Sequence, residues 1–379
     1  RELRLARLRA GVSAASAQYA GLWEDPVLST DLTRIIQSTE HPWKAFTTIG
    51  FTIPISGRLE LERARAGDEH RAAVVRAWAE EWVTRVELRR RWVEWSSARE
   101  QAAVMRQFLE RLDDVVGIVD RIAEAGEMSR VESRLFQIER ATRAAELAAL
   151  ETVAALAELA LKDMLGLPAT AAVVLTPSLT MTTEHDLGET SEVADTNVEL
   201  AIARAEYDVA ERSLELEVRR QYPDLTIGPG YGREDGEDQI LLGLSIPLPI
   251  LNRNRQGIAA ATAERDMVRA SYETTYERLV NALAQAMVAR QTASQQRAAL
   301  ESRVVPLVDE QYADARRIAE LGDVNTLVLL ETLTRQQETK LRLIEARAAE
   351  TLAQIRVQEL VGPAAEPPAE PVPNQGAKR

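Results

Sequence analysis

The chain has 379 residues, 45% apolar and 28% charged, and a formal net charge of −13, which argues against a general nucleic-acid binder with its basic face. It holds no cysteine, so disulfides, thiolate metal sites and cysteine nucleophiles are excluded. Its three histidines, His41, His70 and His185, share no ligand spacing, and no run of 18 apolar residues offers a transmembrane helix.

Aromatics make up only 4%, and Ala, Leu, Glu and Arg dominate, the composition of long helices and coiled coils. The chain opens at Arg1 without Met and in helical pattern, which reads as a processed or trimmed start, so the missing signal peptide says nothing of secretion. Arg1–Leu22 is expected to be a short amphipathic helix ending near Gly21 and Pro26. Leu28–Gln37 reads as a strand with weak alternation. In Trp43–Ile55 the pattern is clear, with Ile49, Phe51, Ile53 and Ile55 alternating with Thr48, Gly50, Thr52 and Pro54.

From about Gly57 to Ala125 no proline interrupts a helical pattern. Met105, Leu109, Leu112, Val116, Val119 and Ile122 step by four and three, the seam of a coiled coil, and Trp78, Trp82 and Val86 make a similar stripe. A helix of about 69 residues would extend roughly 100 Å. Gly126 breaks it, and a return helix is expected from about Ser129 to Leu165, ended by Gly166-Leu167-Pro168. Ala169–Glu192 is irregular and Thr-rich, and Val193–Gln221 reads as a further helix.

Tyr222–Asn254 is an island of strand pattern in this helical chain. Leu225, Ile227 and Tyr231 alternate with small or polar residues. After the polar turn Arg233–Asp238, where Asp235-Gly236 is turn chemistry, Ile240, Leu242, Leu244, Ile246 and Leu248 alternate again. Two strands follow, over about 224–249, each apolar on one face and about as long as a tilted strand needs to cross a bilayer. A lone hairpin is unstable in water, so these strands require partners.

A second long helix is expected from about Arg253 to Leu321, with Tyr272, Tyr276, Leu279, Leu283 and Ala286 in four-three steps and a kink at Pro306. Gly322 breaks it, and a return helix ends at Gly362-Pro363. The tail 364–379 is rich in Pro, Ala and Glu and is expected to be disordered. Gly-Phe-Thr-Ile-Pro-Ile at Gly50–Ile55 matches Gly-Leu-Ser-Ile-Pro-Leu at Gly243–Leu248. Gly126 matches Gly322, and Gly166 matches Gly362, both 196 positions apart. The chain therefore reads as a duplication, with one repeat over 1–168, a linker over 169–192 and a second repeat over 193–363.

Four strands cannot close a barrel with a lumen, and open strand edges are forbidden in lipid. If the strands lie in a membrane, several chains must pool them. No nucleophile, base and orienter stand at workable spacing, so no enzyme and no cofactor are expected. Gly228-Pro229-Gly230 is not a phosphate loop, because no helix starts after it. Trp43, Phe46, Tyr222 and Tyr231 are candidates for an aromatic belt at a membrane interface.

At Tyr222–Leu225 (Tyr-Pro-Asp-Leu), at Gly243–Leu248 and in its duplicated halves, the sequence resembles the TolC-type outer-membrane efflux protein family. The exit Asn252–Gly257 resembles the branch serving heavy-metal efflux pumps. The resemblance implies a mainly α fold with a small β part: long antiparallel coiled-coil helices, four β-strands per chain, and a homotrimer whose twelve-stranded β-barrel stands on an α-helical barrel. It implies an outer-membrane exit duct with its helices in the periplasm, working passively with a periplasmic adaptor and an inner-membrane pump, metal cations being one candidate cargo. Membrane strands would then present Ile49, Phe51, Ile53, Leu225, Ile227, Tyr231, Leu242, Leu244 and Ile246. The family's adaptor contacts fall here on Gly126, Glu127 and Met128 and on Gly322, Asp323 and Val324. Its acidic lumen gate falls on Glu132 and Glu331, although Val328 and Val324 occupy the other gate positions. The alternative is a soluble periplasmic coiled-coil scaffold derived from such ducts, favoured by the weak first strand.

Overall fold

The computed structural model describes residues 2–34, 36, 43–126, 128–180, 196–234, 236–320 and 326–363. Helix α1 (Glu2–Gln18) is followed by strands β1 (Val27–Arg34) and β2 (Trp43–Ile53), then by helices α2 (Arg58–Glu124) and α3 (Arg130–Met164). The order then repeats: α4 (Val198–Arg219), β3 (Leu225–Glu234), β4 (Glu237–Ser245), a long run made of α5 (Arg255–Ala299), a π segment (Leu300–Val304) and α6 (Val305–Glu320), and α7 (Thr326–Val361). Each expected helix and strand has a counterpart among the described residues; the tail 364–379 and residues 181–195, in the expected linker and at the start of the helix after it, lie outside them.

The chain divides into two compact units, one built from Arg1–Glu81 and Val198–Glu277, the other from Trp82–Asn197 and Arg278–Ala364. In the first unit the four strands form one antiparallel sheet in the order β1-β2-β3-β4. Its β4 is shorter than the alternation implied. Ser245 still pairs with Thr226, but Pro247 and Pro249 have no N–H to continue the ladder. The expected polar turn narrows to the gap between Glu234 and Glu237, where Gly236 has φ +85 and its carbonyl accepts from both Nε and Nη2 of Arg233. Helix α1 lies on α2 through Ser13 and His70 (2.9 Å) and Arg7 and Glu81 (3.3 Å). Ala72 and Val75 of α2 meet Ala205 of α4 in a small core whose alanines let the two helices approach closely.

In the second unit the coiled-coil seam is broader than its four-three steps foretold. Met105, Leu112 and Val119 are buried as expected, but so are Phe108 and Val115, because α2 packs against both Phe136 of α3 and Leu333 of α7. The second seam is shorter than expected: Leu279, Leu283 and Ala286 are buried, whereas Tyr276 is 40% exposed. Helix α3 ends in a Schellman motif. Gly166 has φ +70, its N–H bonds the Asp163 carbonyl (2.9 Å), and Leu167 N–H bonds that of Lys162 (2.8 Å). The extended stretch after Pro168 is clipped at two buried hydroxyls: Ser96 Oγ accepts from Ser178 N–H (3.1 Å), and Thr351 Oγ1 donates to the Leu179 carbonyl (2.6 Å). At Pro306 the helix answers the missing N–H with the π segment just before it.

Candidate functional site

The pairing registers sort the sheet into two faces. Leu28 lies opposite Ile49, Phe51 opposite Ile227, Ile53 opposite Leu225, Ile227 opposite Leu244, Pro229 opposite Leu242 and Tyr231 opposite Ile240. These residues share one face, continuous across all four strands, and its outer parts are bare: Leu28 is 69% exposed, Leu242 78% and Ile240 89%. The other face carries Ser29, Asp31, Thr48, Thr52, Thr226 and Gln239 with Gly50, Gly228, Gly230, Gly232 and Gly243, and an ion pair of Lys44 with Glu234. Eight of the nine strand positions expected to face lipid lie on the apolar face. The ninth, Ile246, lies past the end of β4.

The belt candidates divide. Trp43 is on the apolar face, with the Arg34 guanidinium 5.5 Å from its ring centre, and Tyr231 is there too. Phe46 is on the polar face, its ring lying over Gly232, where an added Cβ would come within 2.0 Å of it. The ring covers a gap the glycine leaves in the sheet. Tyr222 precedes β3 and is exposed.

Where strands meet helices, sequence reasoning missed a cluster. Asp224 accepts from the Ser56 hydroxyl (2.9 Å), from Ser56 N–H (3.3 Å) and from Arg58 Nε (2.7 Å), while Arg58 Nη2 reaches Glu24 (2.5 Å). Burial alone would pull Arg58 down, but its bonds to Glu24 and Asp224 outweigh that and hold it above the ordinary arginine value. The cluster ties the entry of β3 to the start of α2. The only sequence trace of it was the Tyr-Pro-Asp-Leu motif, in which nothing names the partner. Asp224→Ala takes the partner from Arg58 Nε and from the Ser56 hydroxyl, leaving the guanidinium only its other carboxylates, and should cost about 2 kcal/mol, the worth of a charged hydrogen bond, read as a lower midpoint in guanidinium unfolding. Asp224→Asn keeps one acceptor oxygen, so its midpoint should fall between those of Asp224→Ala and the wild type.

At the first helical turn Gly126 has φ +79 with open space around it. Met128 is half-buried against the Phe108–Phe136 core. Glu127, Gly322, Asp323 and Val324 lie outside the described residues. Of the gate candidates, Glu132 is occupied: its Oε2 accepts from Ser129 N–H (3.1 Å) and the Ser129 hydroxyl (3.0 Å), and Ser129 Oγ accepts from Glu132 N–H, a capping box at the start of α3. Glu331 is exposed and pairs with Arg335 (3.2 Å) one turn on. It lines a groove of about 410 Å³ between α3 and α7, with Leu327 and Leu330, Glu139 and Arg143 among its other walls. Glu132→Ala should loosen the first turn of α3 by about 1 kcal/mol, seen as faster amide exchange there, while Glu132→Gln keeps the box and should exchange like wild type.

Among the described residues no group of three or more His, Asp or Glu could hold a metal ion, and no helix is long and apolar enough to cross a membrane. Residues 190–363 match the Outer membrane efflux protein family. The cobalt-zinc-cadmium resistance protein CzcC of Cupriavidus metallidurans is 26% identical over 165 residues, covering 43% of this chain and 40% of that protein. The match thus spans well under half of the relative's length. A membrane protein from Pseudomonas aeruginosa superposes with a TM-score of 0.81 at 17% identity, covering 96% of this chain and 89% of its own. The outer membrane protein VceC of Vibrio cholerae gives 0.77 at 16% identity, covering 94% and 92%. In fold over almost its whole length, and in sequence over its second half, the chain resembles the TolC-type outer-membrane efflux proteins.

Proposed function

We propose that the protein is the outer-membrane exit duct of a tripartite efflux system. The observation that carries this reading is the two-faced sheet. A bare apolar face running across four strands has no use in water, and a glycine-rich polar face suits a wet lumen. Strands β1 and β4 are the sheet's edges, and edges cannot stand open in lipid. Three copies would pool twelve strands into a closed barrel, and α1, whose Leu5, Leu8 and Val12 are exposed in a stripe, offers a further apolar surface to a neighbouring copy. The chain is then a tandem repeat, 1–168 and 193–363, joined by a linker at 169–192, with its helices in the periplasm.

Energy and substrate choice belong to the partners, a periplasmic adaptor and an inner-membrane pump. The adaptor meets the turns around Gly126 and Gly322. Divalent metal cations are the proposed cargo, on the likeness to CzcC and not on any metal site in this chain. Conduction is passive, through the wet polar face of the barrel. Blue-native electrophoresis of detergent-extracted outer membranes should give a heat-modifiable trimer that conducts in planar bilayers. A monomer released by osmotic shock would instead make the protein a periplasmic scaffold.

A further inference from the structure

The helical run that opens at Arg255 changes pitch once. In the π segment Leu300–Val304 the N–H of Val305 reaches the Leu300 carbonyl. The cause lies one residue on. Pro306 has no N–H for the Ser302 carbonyl, and its ring would crowd that carbonyl in an α-turn, so a wider turn relieves both faults. Ser302 gives its hydroxyl to the Ala298 carbonyl (2.7 Å).

Apolar anchoring lapses over the same stretch. Within the single chain Leu279, Leu283 and Ala286 are buried before it and Val308 after it, yet no residue from Met287 to Leu307 is buried against its own chain. Charge holds it to α7 instead. Glu301 accepts from Arg297, one turn earlier (2.5 Å), and from Arg347 of α7, while Arg297 also donates to Glu350 of α7. Bonds from Arg347 and Arg297 keep the Glu301 carboxyl below the ordinary carboxylate range. On α2, burial pushes the Glu100 carboxyl up and the Arg347 charge pulls it back. Arg347 therefore stands between two carboxylates and is bonded to one of them. A segment with weak packing, a changed pitch and a few polar ties is where a helix opens first.

We infer that Leu300–Val304 is a hinge in the α5–α6 run and that Glu301, clasped by Arg297 and Arg347, is the latch holding it against α7. In the duct proposed above, on which this last step rests, release of the latch lets α6 move and raises the open probability.

Amide exchange on the full chain in detergent tests the hinge. Glu301→Gln and Arg347→Gln should speed exchange in residues 296–310 by about tenfold, as expected for local opening, and Glu310→Gln, on the exposed face of α6 outside the network, should not. Pro306→Ala should restore the α-turn and slow exchange there. Unchanged exchange in the two latch variants would overturn the inference. The same proteins in planar bilayers test the coupling: the latch variants should stay open longer than wild type, and openings equal to those of a conducting wild type would overturn the latch as a control of opening. If the wild type itself does not conduct, it is the duct reading that fails, and the exchange result still decides the hinge.

Discussion

Leu242→Arg is expected to abolish recovery of assembled protein from the outer membrane, whereas Ser245→Arg leaves it near the wild-type level. Leu242 sits mid-strand in β4 opposite Pro229, on the apolar face, and is 78% exposed in the single chain. In the proposed barrel a guanidinium there would stand in hydrocarbon, at about 2–4 kcal/mol per copy near the midplane, and the trimer would carry three copies. Ser245 is three residues along the same strand, on the face that holds Thr226 and the glycines, where a charge meets water. The measurement is the yield of heat-modifiable trimer from outer-membrane fractions. The opposite ranking would reverse the facing of the sheet, and equal yields would remove the strands from lipid.

Much of this was legible because the two periodicities differ so sharply. Period-two alternation at Leu225–Tyr231 and Ile240–Leu244 cannot be confused with the four-three steps around it, and the glycines at 126, 166 and 362 stop helices where the pattern stops. Strand β1 was harder to see: Ser29, Asp31 and Thr33 share the polar face, but Thr30 and Arg34 interrupt the apolar face of Leu28 and Leu32, and the strand is fixed by eight pairings to β2 rather than by its own pattern. Partner choice was not legible at all. The Asp224–Arg58 tie joins residues 166 positions apart, and the family resemblance, which placed a gate at Glu132, did not announce that its carboxylate would be engaged by Ser129 in a capping box. Pro306 announced a disturbance, but not that a wider turn would absorb it.

The proposed repeat also hides an asymmetry, which gives the second large effect. Gly166 and Gly362 stand 196 positions apart, at matching places in the proposed repeat, and both lie in the left-handed region, φ +70 and +101. Around Gly166 nothing stands within 4 Å of an added Cβ, so Gly166→Ala should cost only the conformational term, about 1–2 kcal/mol. At Gly362 the added Cβ would lie 2.1 Å from the Thr196 carbonyl oxygen. That backbone cannot give way cheaply, because Thr196 Oγ1 donates to the Val361 carbonyl (2.5 Å) and Asn197 Nδ2 to that of Leu360 (2.7 Å), closing the end of α7. Gly362→Ala must therefore shift the segment and loosen both caps, at about 1 kcal/mol each beyond the conformational term. The expected total is about 3–4 kcal/mol on these terms, roughly twice that of Gly166→Ala. Guanidinium unfolding of the two variants, with amide exchange over 355–363 to locate the damage, measures the difference. Equal losses at the two glycines would mean that the Thr196–Asn197 cap moves freely and that the asymmetry carries no stability.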